Sequence, residues 1–420
     1  MGDSTWTYLT QRASGQHLFP NLQKLCWETL SPQSTALFTA LSPSVEELSV
    51  HFGHPDIVIT AMSAHDFNEW QTSARMLLSN IHLYAPHIRK IFVKYKDLRP
   101  DAVFVPFPFS KLSALRDLSC GDIHGNRQAP QAQIGFNALR SFAALDMLES
   151  LFLGGAFDIG QAHSLVTPLH FPNLRTLGIF HRVGANHAYF YLDLPELQTL
   201  EVWEYPPHGI REFHDSCRIW AQRFPKLRRF LCYFTPHYAM AFPYPAVEMP
   251  EQLSSAIAPL YSLQLERFRL DYNADLFTFD EDDASAMARA WPHLTTLQLL
   301  ASLPSSDGGD PSYDFGVTTG NLISFSPPSL VRLAQLFPNL KSLRITRLQC
   351  SFTSEAELAN IPRLNHQLRT LQIFHLAVAD YRTCAMFLHR VFPYLQNTMR
   401  FSSEWQRLYA EIAVCQKAGF

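Results

Sequence analysis

The sequence predicts an α/β leucine-rich-repeat solenoid, with a curved parallel β-sheet on the concave face and helices on the convex face. Three observations lead to this prediction. A short motif, aromatic-Pro-x-Leu-x-x-Leu-x-apolar, recurs along the chain, and helical patterns precede many of its copies. Phe and Pro are also abundant, with 32 and 28 residues among 420, as a repeated aromatic-Pro step requires. The prediction treats residues 1–420 as a single domain of about 12–13 irregular repeats.

Six copies of the motif are well preserved. They are FPNLQKLCW (19–27), FPNLRTLGI (171–179), LPELQTLEV (194–202), FPKLRRFLC (224–232), WPHLTTLQL (291–299) and FPNLKSLRI (337–345). Weaker copies begin at residues 42, 85, 114, 147, 263 and 366, and a degenerate last copy covers 391–401. Successive copies lie 23 to 46 residues apart, whereas leucine-rich repeats usually span about 20–29 residues. The motif indicates the repeat class, and the long, irregular period leaves the subtype open.

Each part of the motif has a physical reason. In Leu-x-x-Leu-x-apolar the last apolar residues alternate with polar ones, as in a short strand with one buried face. The proline cannot continue a helix and disfavours helical geometry in the residue before it, so a helix ends there. Because one helix–strand unit cannot bury its apolar face alone, the units must stack into a continuous core. Helices are predicted at 31–41, 72–84, 209–224, 280–291 and 326–337.

Three regions depart from the regular array. An insertion is expected near 53–62, where the interval between motif copies is long. Residues 301–328 are rich in Gly, Ser, Pro and Asp and are predicted to form a long flexible loop. Residues 402–416 are predicted to form an amphipathic helix, with Trp405 and Ile412 on its apolar face, that caps the last repeat.

The composition of the chain and the absence of certain sequence motifs narrow the range of possible functions. The formal net charge of −3 provides no basic field, so no nucleic-acid partner is expected. No apolar run is long enough to span a membrane, and residues 1–20 contain no apolar signal region, so no membrane partner is expected. The seven cysteines are widely spaced without a C-x-x-C pair, which favours an intracellular location, cytoplasmic, nuclear or both. No nucleotide, zinc or serine-hydrolase motif is present, so neither a cofactor nor a metal is expected.

The repeat pattern also predicts which side chains face away from the core. The residues on both sides of the second Leu, and the one after the last apolar position, line the concave face. Aromatic residues and Arg recur there, and these residue types dominate protein-binding hot spots. The predicted partner-binding residues are Phe92, Phe180, Trp203, Tyr233, Arg267, Arg269, Arg344 and Phe374. Two alternatives stay open: helices or loops partly cover this face, or the register slips in irregular repeats.

The last third of the chain carries a more specific pattern. SFSPPSLVRLAQLFPNLKSLRI (324–345) is followed by NHQLRTLQIFHLAVADYRTCAMFLHRVFPYL (365–395) and SSEWQRLYAEI (402–412). This order resembles the leucine-rich-repeat region of F-box proteins of mushroom-forming (basidiomycete) fungi, and LSNIHLYAPHIRKIFV (78–93) resembles an upstream repeat of that family. The resemblance implies the substrate receptor of an SCF-type ubiquitin ligase. No F-box is visible, since a repeat already occupies 19–27, so a Skp-type adaptor and a cullin are expected only if an F-box lies upstream.

The sequence therefore predicts a non-catalytic protein-interaction module for an unknown target protein. Two other functions stay open. One is an enzyme, hydrolytic or otherwise, with its site at 301–328, which a pocket of converging carboxylates or His would favour. The other is a structural repeat protein that has lost its ligase association, which a concave face filled by its own side chains would favour.

Overall fold

A computed structural model of the chain shows two compact units, Met1–Trp203 (unit 1) and Glu204–Phe420 (unit 2). In each, parallel strands pair side by side and helices or turns connect them, which is the predicted α/β leucine-rich-repeat fold. The predicted insertion at 53–62 and most of the predicted loop at 301–328 lie outside the described residues. The structure describes residues 3–13, 16–29, 36–52, 64–95, 103–104, 109–121, 133–158, 168–181, 189, 191–204, 210–234, 251–273, 277–302, 324–352, 355–396 and 403–418.

Unit 1 is built on a parallel sheet. Its strands are β1 (Lys24–Thr29), β2 (Glu47–Phe52), β3 (Lys90–Tyr95), β4 (Val103–Phe104), β5 (Asp117–Gly121), β6 (Gln133–Gly135), β7 (Ser150–Asp158), β8 (Leu169–His170), β9 (Thr176–His181), β10 (Leu192–Asp193) and β11 (Thr199–Glu204). The order in the sheet is β1-β2-β3-β5-β7-β9-β11. Short strands extend this ladder, since β4 pairs with β6 and β6 pairs with the end of β7. Strands β8 and β10 form a separate parallel pair.

The helices of unit 1 vary in length. They are α1 (Asp3–Ala13), α2 (Ala36–Ala40), α3 (Ala64–Ser79), α4 (Ile81–Tyr84) and α5 (Phe136–Ala143), with a 3-10 turn at Phe109–Lys111. Helices α3 and α4 cover the helical region predicted at 72–84. Helix α1 was not predicted, and it lies against the first strand, with the Trp6 and Trp27 ring centroids 5.1 Å apart.

Unit 2 repeats the same arrangement. Its strands are β12 (Arg229–Phe234), β13 (Glu251–Gln252), β14 (Arg267–Asn273), β15 (Phe277–Thr278), β16 (Thr296–Ser302), β17 (Ser324–Phe325), β18 (Ser342–Cys350) and β19 (Thr370–Val378). The parallel order is β12-β14-β16-β18-β19. Strand β17 pairs with the later part of β18, and β13 and β15 form a separate pair.

The helices of unit 2 include four that lie where the sequence predicts helices. They are α6 (Ile210–Arg223), α7 (Leu253–Ile257), α8 (Glu281–Ala290), α9 (Pro327–Leu336), α10 (Tyr381–Val391) and α11 (Ser403–Ala418), with 3-10 turns at Ala258–Ser262 and Glu355–Asn360. Helices α6, α8 and α9 match the predicted ranges within one residue at each end. Helix α11 covers the edge strand β19, because Trp405 Nε1 and the Tyr409 hydroxyl donate hydrogen bonds to carbonyls of Ile373 and Leu371.

The aromatic-Pro-x-Leu motif forms the turn between helix and strand. The N–H of Leu227 donates to the carbonyl of Phe224 at 3.1 Å, and the N–H of Leu340 donates to the carbonyl of Phe337 at 3.1 Å. This is a four-residue turn, and proline suits its second position because its φ is already fixed there. The aromatic residue and the leucine are both buried, so the turn also anchors the core.

A ladder of main-chain hydrogen bonds joins successive turns. The residue after the turn leucine donates its N–H to the equivalent carbonyl of the preceding repeat. In unit 2 these bonds run from Thr295 to Glu266 at 2.8 Å, from Lys341 to Thr295 at 2.8 Å and from Arg369 to Lys341 at 2.9 Å. The register of the whole sheet is therefore set at its turn end.

The asparagine of the F-P-N-L copies reinforces this ladder. Asn173 Nδ2 donates to the carbonyl of Asp146 at 2.8 Å, and Asn339 Nδ2 donates to the carbonyl of Pro292 at 3.1 Å. In both cases the acceptor is the second residue of the preceding turn. The side chain thus satisfies a carbonyl that the turn itself leaves unused.

Aromatic rings form a continuous stack in the core of unit 2. Ring centroids lie 5.3 Å apart between Trp220 and Phe230, 5.9 Å between Phe230 and Phe268, and 5.0 Å between Phe268 and Trp291. All four rings are fully buried. The high Phe content therefore has two uses, at the turns and in the strand positions that face the helices.

A buried histidine links two repeats near the end of unit 2. His366 Nε2 lies 2.8 Å from the carbonyl of Phe337, and its Nδ1 lies 3.1 Å from the N–H of Leu368. A carbonyl only accepts and an N–H only donates, so the ring is neutral with its proton on Nε2. Burial lowers the pKa of His366, and the Phe337 hydrogen bond opposes this shift.

We predict that acidification destabilises unit 2 through His366. The unfolded histidine, with a pKa of about 6.5, binds more protons than the folded one, so stability falls as the pH drops from about 7 towards the lower folded-state pKa. His366→Gln should cost about 1–3 kcal/mol, because a buried hydrogen bond is lost. It should also flatten the fall in urea midpoint below pH 7. The control is His293→Gln, at an exposed turn position, and equal pH slopes in wild type and His366→Gln would contradict the prediction.

Candidate partner-binding face

The strands of each unit present one face to the core and one away from it. In β2, Leu48 and Val50 are buried, whereas Ser49 and His51 between and after them are half-buried. We call the surface formed by the second set the open face. It is the surface that the repeat pattern predicts for partner binding.

The open face of unit 1 begins with a row of alternating charges. Lys24, Glu47, Lys90 and Asp117 are register partners on β1, β2, β3 and β5. Lys24 Nζ lies 2.8 Å from Glu47 Oε2, and Lys90 Nζ lies 3.5 Å from Asp117 Oδ2. The hydrogen bond from Lys24, helped by the charges of Lys24 and Lys90, lowers the pKa of Glu47 against the effect of desolvation. Exposed pairs of this kind add little stability, but they fix a charge pattern on the surface.

Next to this row lies a groove of about 440 Å³. Phe92 of β3 and Phe152 of β7 stand on either side of Ser119 of β5, so two aromatic side chains flank one small one. Strands are spaced by about 4.8 Å, which places the two rings' Cα atoms roughly 10 Å apart. The groove thus combines an apolar slot with a charged rim.

Phe92 is held from the side of β2. The His51 ring meets the Phe92 ring edge-on, with centroids 5.7 Å apart, and His51 Nε2 is hydrogen-bonded to the Ser49 hydroxyl at 2.8 Å. These contacts restrict the rotamers of an aromatic side chain that is only half-buried.

The structure corrects one expectation, because Trp203 is buried rather than solvent-exposed. Only 6 % of its surface is exposed. The burial of Trp203, on β11, is explained by β9, the strand that lies between β11 and β7. Gly178 of β9 has no side chain, and the Phe152 ring lies so close that a Cβ at position 178 would be 2.1 Å from its Cδ1. Phe152 and Trp203 meet edge-on, with centroids 6.5 Å apart, so Trp203 packs beside the groove wall.

Unit 2 brings together two of the predicted residues. The Arg269 guanidinium lies 4.3 Å from the centroid of the Tyr233 ring. The same guanidinium donates to both carboxylate oxygens of Asp271, at 3.0 Å and 2.7 Å. This bidentate pair, stacked on an aromatic ring, is the geometry that arginine favours over lysine.

The other predicted residues have different surroundings. Arg267 is exposed and is the register partner of Arg229. Arg344 is half-buried, with Gln298 and Gln372 beside it on the neighbouring strands.

Two predicted aromatic positions remain. Phe374 is half-buried and lies on β19 between Ile373 and His375, which are the register partners of Ile345 and Arg347 of β18. Phe180 belongs to β9, but its side chain is outside the described residues.

The sequence prediction missed several residues of the open face. Lys24, Glu47, Asp117 and Phe152 lie in the motif copies that begin at residues 19, 42, 114 and 147. Counting from the leucines of the weak copies at 114 and 147 would have placed Asp117 and Phe152 on this face. The weak copies therefore also predict residues of the open face, and these residues are not among the eight predicted positions.

The described parts of the chain contain neither a metal-binding cluster nor a membrane-spanning helix. No group of three or more His, Cys, Asp or Glu side chains lies close enough together there to hold a metal ion. No helix within those ranges is both long and apolar enough to cross a membrane.

Comparison with known proteins gave structural likenesses only. No protein-family model matches the chain, and no curated protein matches it in sequence. Among solved structures, yeast Rad7, from its complex with Elc1, is 12% identical with a TM-score of 0.43, and the match covers 96% of this chain and 86% of that one. An internalin of Listeria monocytogenes is 11% identical with a TM-score of 0.38 and 95% coverage of both chains. A Leptospira interrogans leucine-rich-repeat protein is 14% identical with a TM-score of 0.35, covering 96% of this chain and 90% of its own.

We predict that Gly178→Val disrupts the groove wall. The new side chain would displace the Phe152 ring and with it Trp203, at a cost of about 1–3 kcal/mol for overpacking. A lower thermal midpoint and stronger acrylamide quenching of Trp203 fluorescence, isolated by comparison with Trp203→Phe, are expected. Thr176→Val, on the same face of the same strand, is the control. An unchanged midpoint and unchanged quenching in Gly178→Val would show that the glycine is not required.

Proposed function

We propose that this chain is a non-catalytic protein-interaction module that binds a segment of a partner protein on its open faces. The observation that carries the proposal is the unit 1 groove, where Phe92 and Phe152 flank an apolar slot beside the row of alternating charges. Aromatic side chains are enriched in the cores of protein interfaces, and the rim around such a core is polar. A slot bounded in this way suits an extended segment with both apolar and charged side chains.

The charged groups of the groove suit recognition better than catalysis. Lys24 and Lys90 are engaged in ion pairs with Glu47 and Asp117 along the rim. The lowered pKa of Glu47 keeps it ionised, which favours a fixed charge rather than a general acid. A fixed pattern of alternating charge favours one register of a bound segment and disfavours others.

A finer proposal is that the module is the substrate-receptor part of an SCF-type ubiquitin ligase. Its support is the resemblance of residues 324–412 to the repeat region of fungal F-box proteins. Adaptor binding has no residues in this chain to which it can be assigned. A Skp-type adaptor and a cullin are therefore proposed as partners only together with an F-box upstream.

The interaction proposal predicts a selective loss of partners in the double variant Lys90→Glu/Phe92→Ala. Affinity purification from cells of the native organism, followed by quantitative mass spectrometry, should recover at least one protein with wild type and tenfold less with the variant. The thermal midpoint should change little, because Lys90 is exposed and Phe92 only half-buried. The matched control is Met76→Ala/Leu83→Ala, which alters two exposed residues of α3 and α4. Equal recovery by both variants would contradict the proposal.

The same purification tests the ligase role separately. If an F-box lies upstream and is included in the purified protein, a Skp-type adaptor and a cullin should be recovered equally by wild type and by Lys90→Glu/Phe92→Ala, since adaptor binding would not use the groove. If neither protein is recovered while the target is, the chain is an interaction module without ligase association.

A further inference from the structure

The open face of unit 2 carries a row of polar side chains, one from each of four neighbouring strands. Arg269 of β14 is the register partner of Gln298 of β16. Gln298 pairs in turn with Arg344 of β18, and Arg344 with Gln372 of β19. At a strand spacing of about 4.8 Å, the four side chains leave the sheet within roughly 15 Å of one another. We call these four residues the polar row.

Three members of the polar row have buried atoms that lack a hydrogen-bond partner within the described residues. They are Gln298 Oε1, Arg344 Nε and Gln372 Oε1. Gln372 is only 6 % exposed, although strand alternation places it opposite the buried Leu371 and Ile373. Because native proteins pair the great majority of buried polar groups, three such atoms on three adjacent strands leave hydrogen-bonding capacity for a group from outside the described residues.

Arg269 plays a different part, because its hydrogen bonds are already committed. Its guanidinium is held by both oxygens of Asp271 and stacks on Tyr233, so it forms a rigid side of the site. In contrast, Arg344 Nε has no hydrogen-bond acceptor among the described residues. Burial, followed by the charge of Arg269, lowers the pKa of Arg344, while Asp271 and Tyr233 act in the opposite direction. The pKa of arginine starts so high that the group stays charged at neutral pH.

We propose that the polar row binds the carboxylate of an Asp or Glu side chain in an extended segment of a partner protein. The carboxylate accepts a hydrogen bond from Arg344 Nε, and main-chain N–H groups of the segment donate to the oxygens of Gln298 and Gln372. The inference rests on the proposed function, since it names the chemistry that a partner would bring to the open face of unit 2.

The charge balance favours a carboxylate over a phosphate group. Arg269 and Arg344 contribute two positive charges and Asp271 one negative charge, so the site carries one net positive charge. A carboxylate balances it, whereas a phosphate carries about −1.5 to −2 at neutral pH and would be repelled by Asp271. The two glutamine oxygens also call for donors, which a peptide main chain supplies and a fully ionised phosphate does not.

The first test measures stability in the absence of any partner. Arg344→Met and Gln372→Met remove the unpaired polar atoms and keep side-chain length. For a site built to receive an external group, the thermal midpoint of the full chain should stay the same or rise by a few degrees. A fall of several degrees in both variants would show that ordered water or the protein itself satisfies these atoms, and would overturn the proposal.

The second test measures binding. The probe is an array of short acetylated and amidated peptides, each with one Glu among varied uncharged neighbours and each paired with its Gln counterpart. Wild type should retain a subset of the Glu peptides at least tenfold better than their Gln counterparts, and Arg344→Met should remove this preference. Arg267→Met is the matched control, because Arg267 lies on the same face of β14 outside the polar row.

The outcomes separate this inference from the proposed function. Equal retention of Glu and Gln peptides, or an equal loss in Arg267→Met and Arg344→Met, overturns the polar-row site. The proposed function still stands in that case if Lys90→Glu/Phe92→Ala loses a captured protein. Retention of a phosphoserine peptide in place of the Glu peptides would overturn the choice of a carboxylate.

Discussion

The turn formed by aromatic-Pro-x-Leu is the constraint on which both units depend. It ends a helix, reverses the chain and places a buried leucine at the start of a strand within four residues. The hydrogen bond from Leu340 to Phe337 closes the turn, and the next N–H, that of Lys341, donates to Thr295 in the repeat before. Local geometry and the register between repeats are therefore fixed at the same place. The order of side chains on the open face follows from this register.

Much of the fold could be predicted because the turn has a sequence signature. Proline and the aromatic residue mark the end of α6 at Arg223 and of α9 at Leu336, and the spacing of leucines gives the strand alternation. Helix α1 could not be predicted in this way, because it precedes the first turn and only its contact with Trp27 explains its place. The local sequence pattern therefore predicts the helix and strand inside each repeat, but it does not predict which segment packs against the ends of the repeat array.

The candidate site was harder to predict, because the alternation within one strand does not show which side chains on neighbouring strands cover its outward positions. Trp203 lies at an outward position, yet it is buried, because Gly178 on the next strand lets Phe152 and Trp203 meet across it. Gln372 is outward-facing by alternation and still only 6 % exposed. Both results depend on side chains one or two strands away, which sequence periodicity does not relate to one another.

The two open faces use register in different ways. In unit 1, neighbouring strands carry opposite charges that pair with one another, as Lys24 does with Glu47. In unit 2, neighbouring strands carry Gln298, Arg344 and Gln372, whose buried atoms do not satisfy one another. Both arrangements are fixed by the sheet, so the binding proposed for these faces would cost less conformational freedom than binding by a mobile loop.

The ladder between turns also has a consequence for how fast such a long chain folds. Each of its bonds joins residues of adjacent repeats, from 23 positions apart (Arg175 to Gln198) to 46 (Thr295 to Lys341). Loop-closure entropy grows with the length of the loop being closed, and here that length does not increase with the length of the chain. Within each unit, the sequence separation of hydrogen-bonded turns therefore stays bounded, however many repeats follow one another. A nucleus can therefore form at any one turn and grow by adding one neighbour at a time.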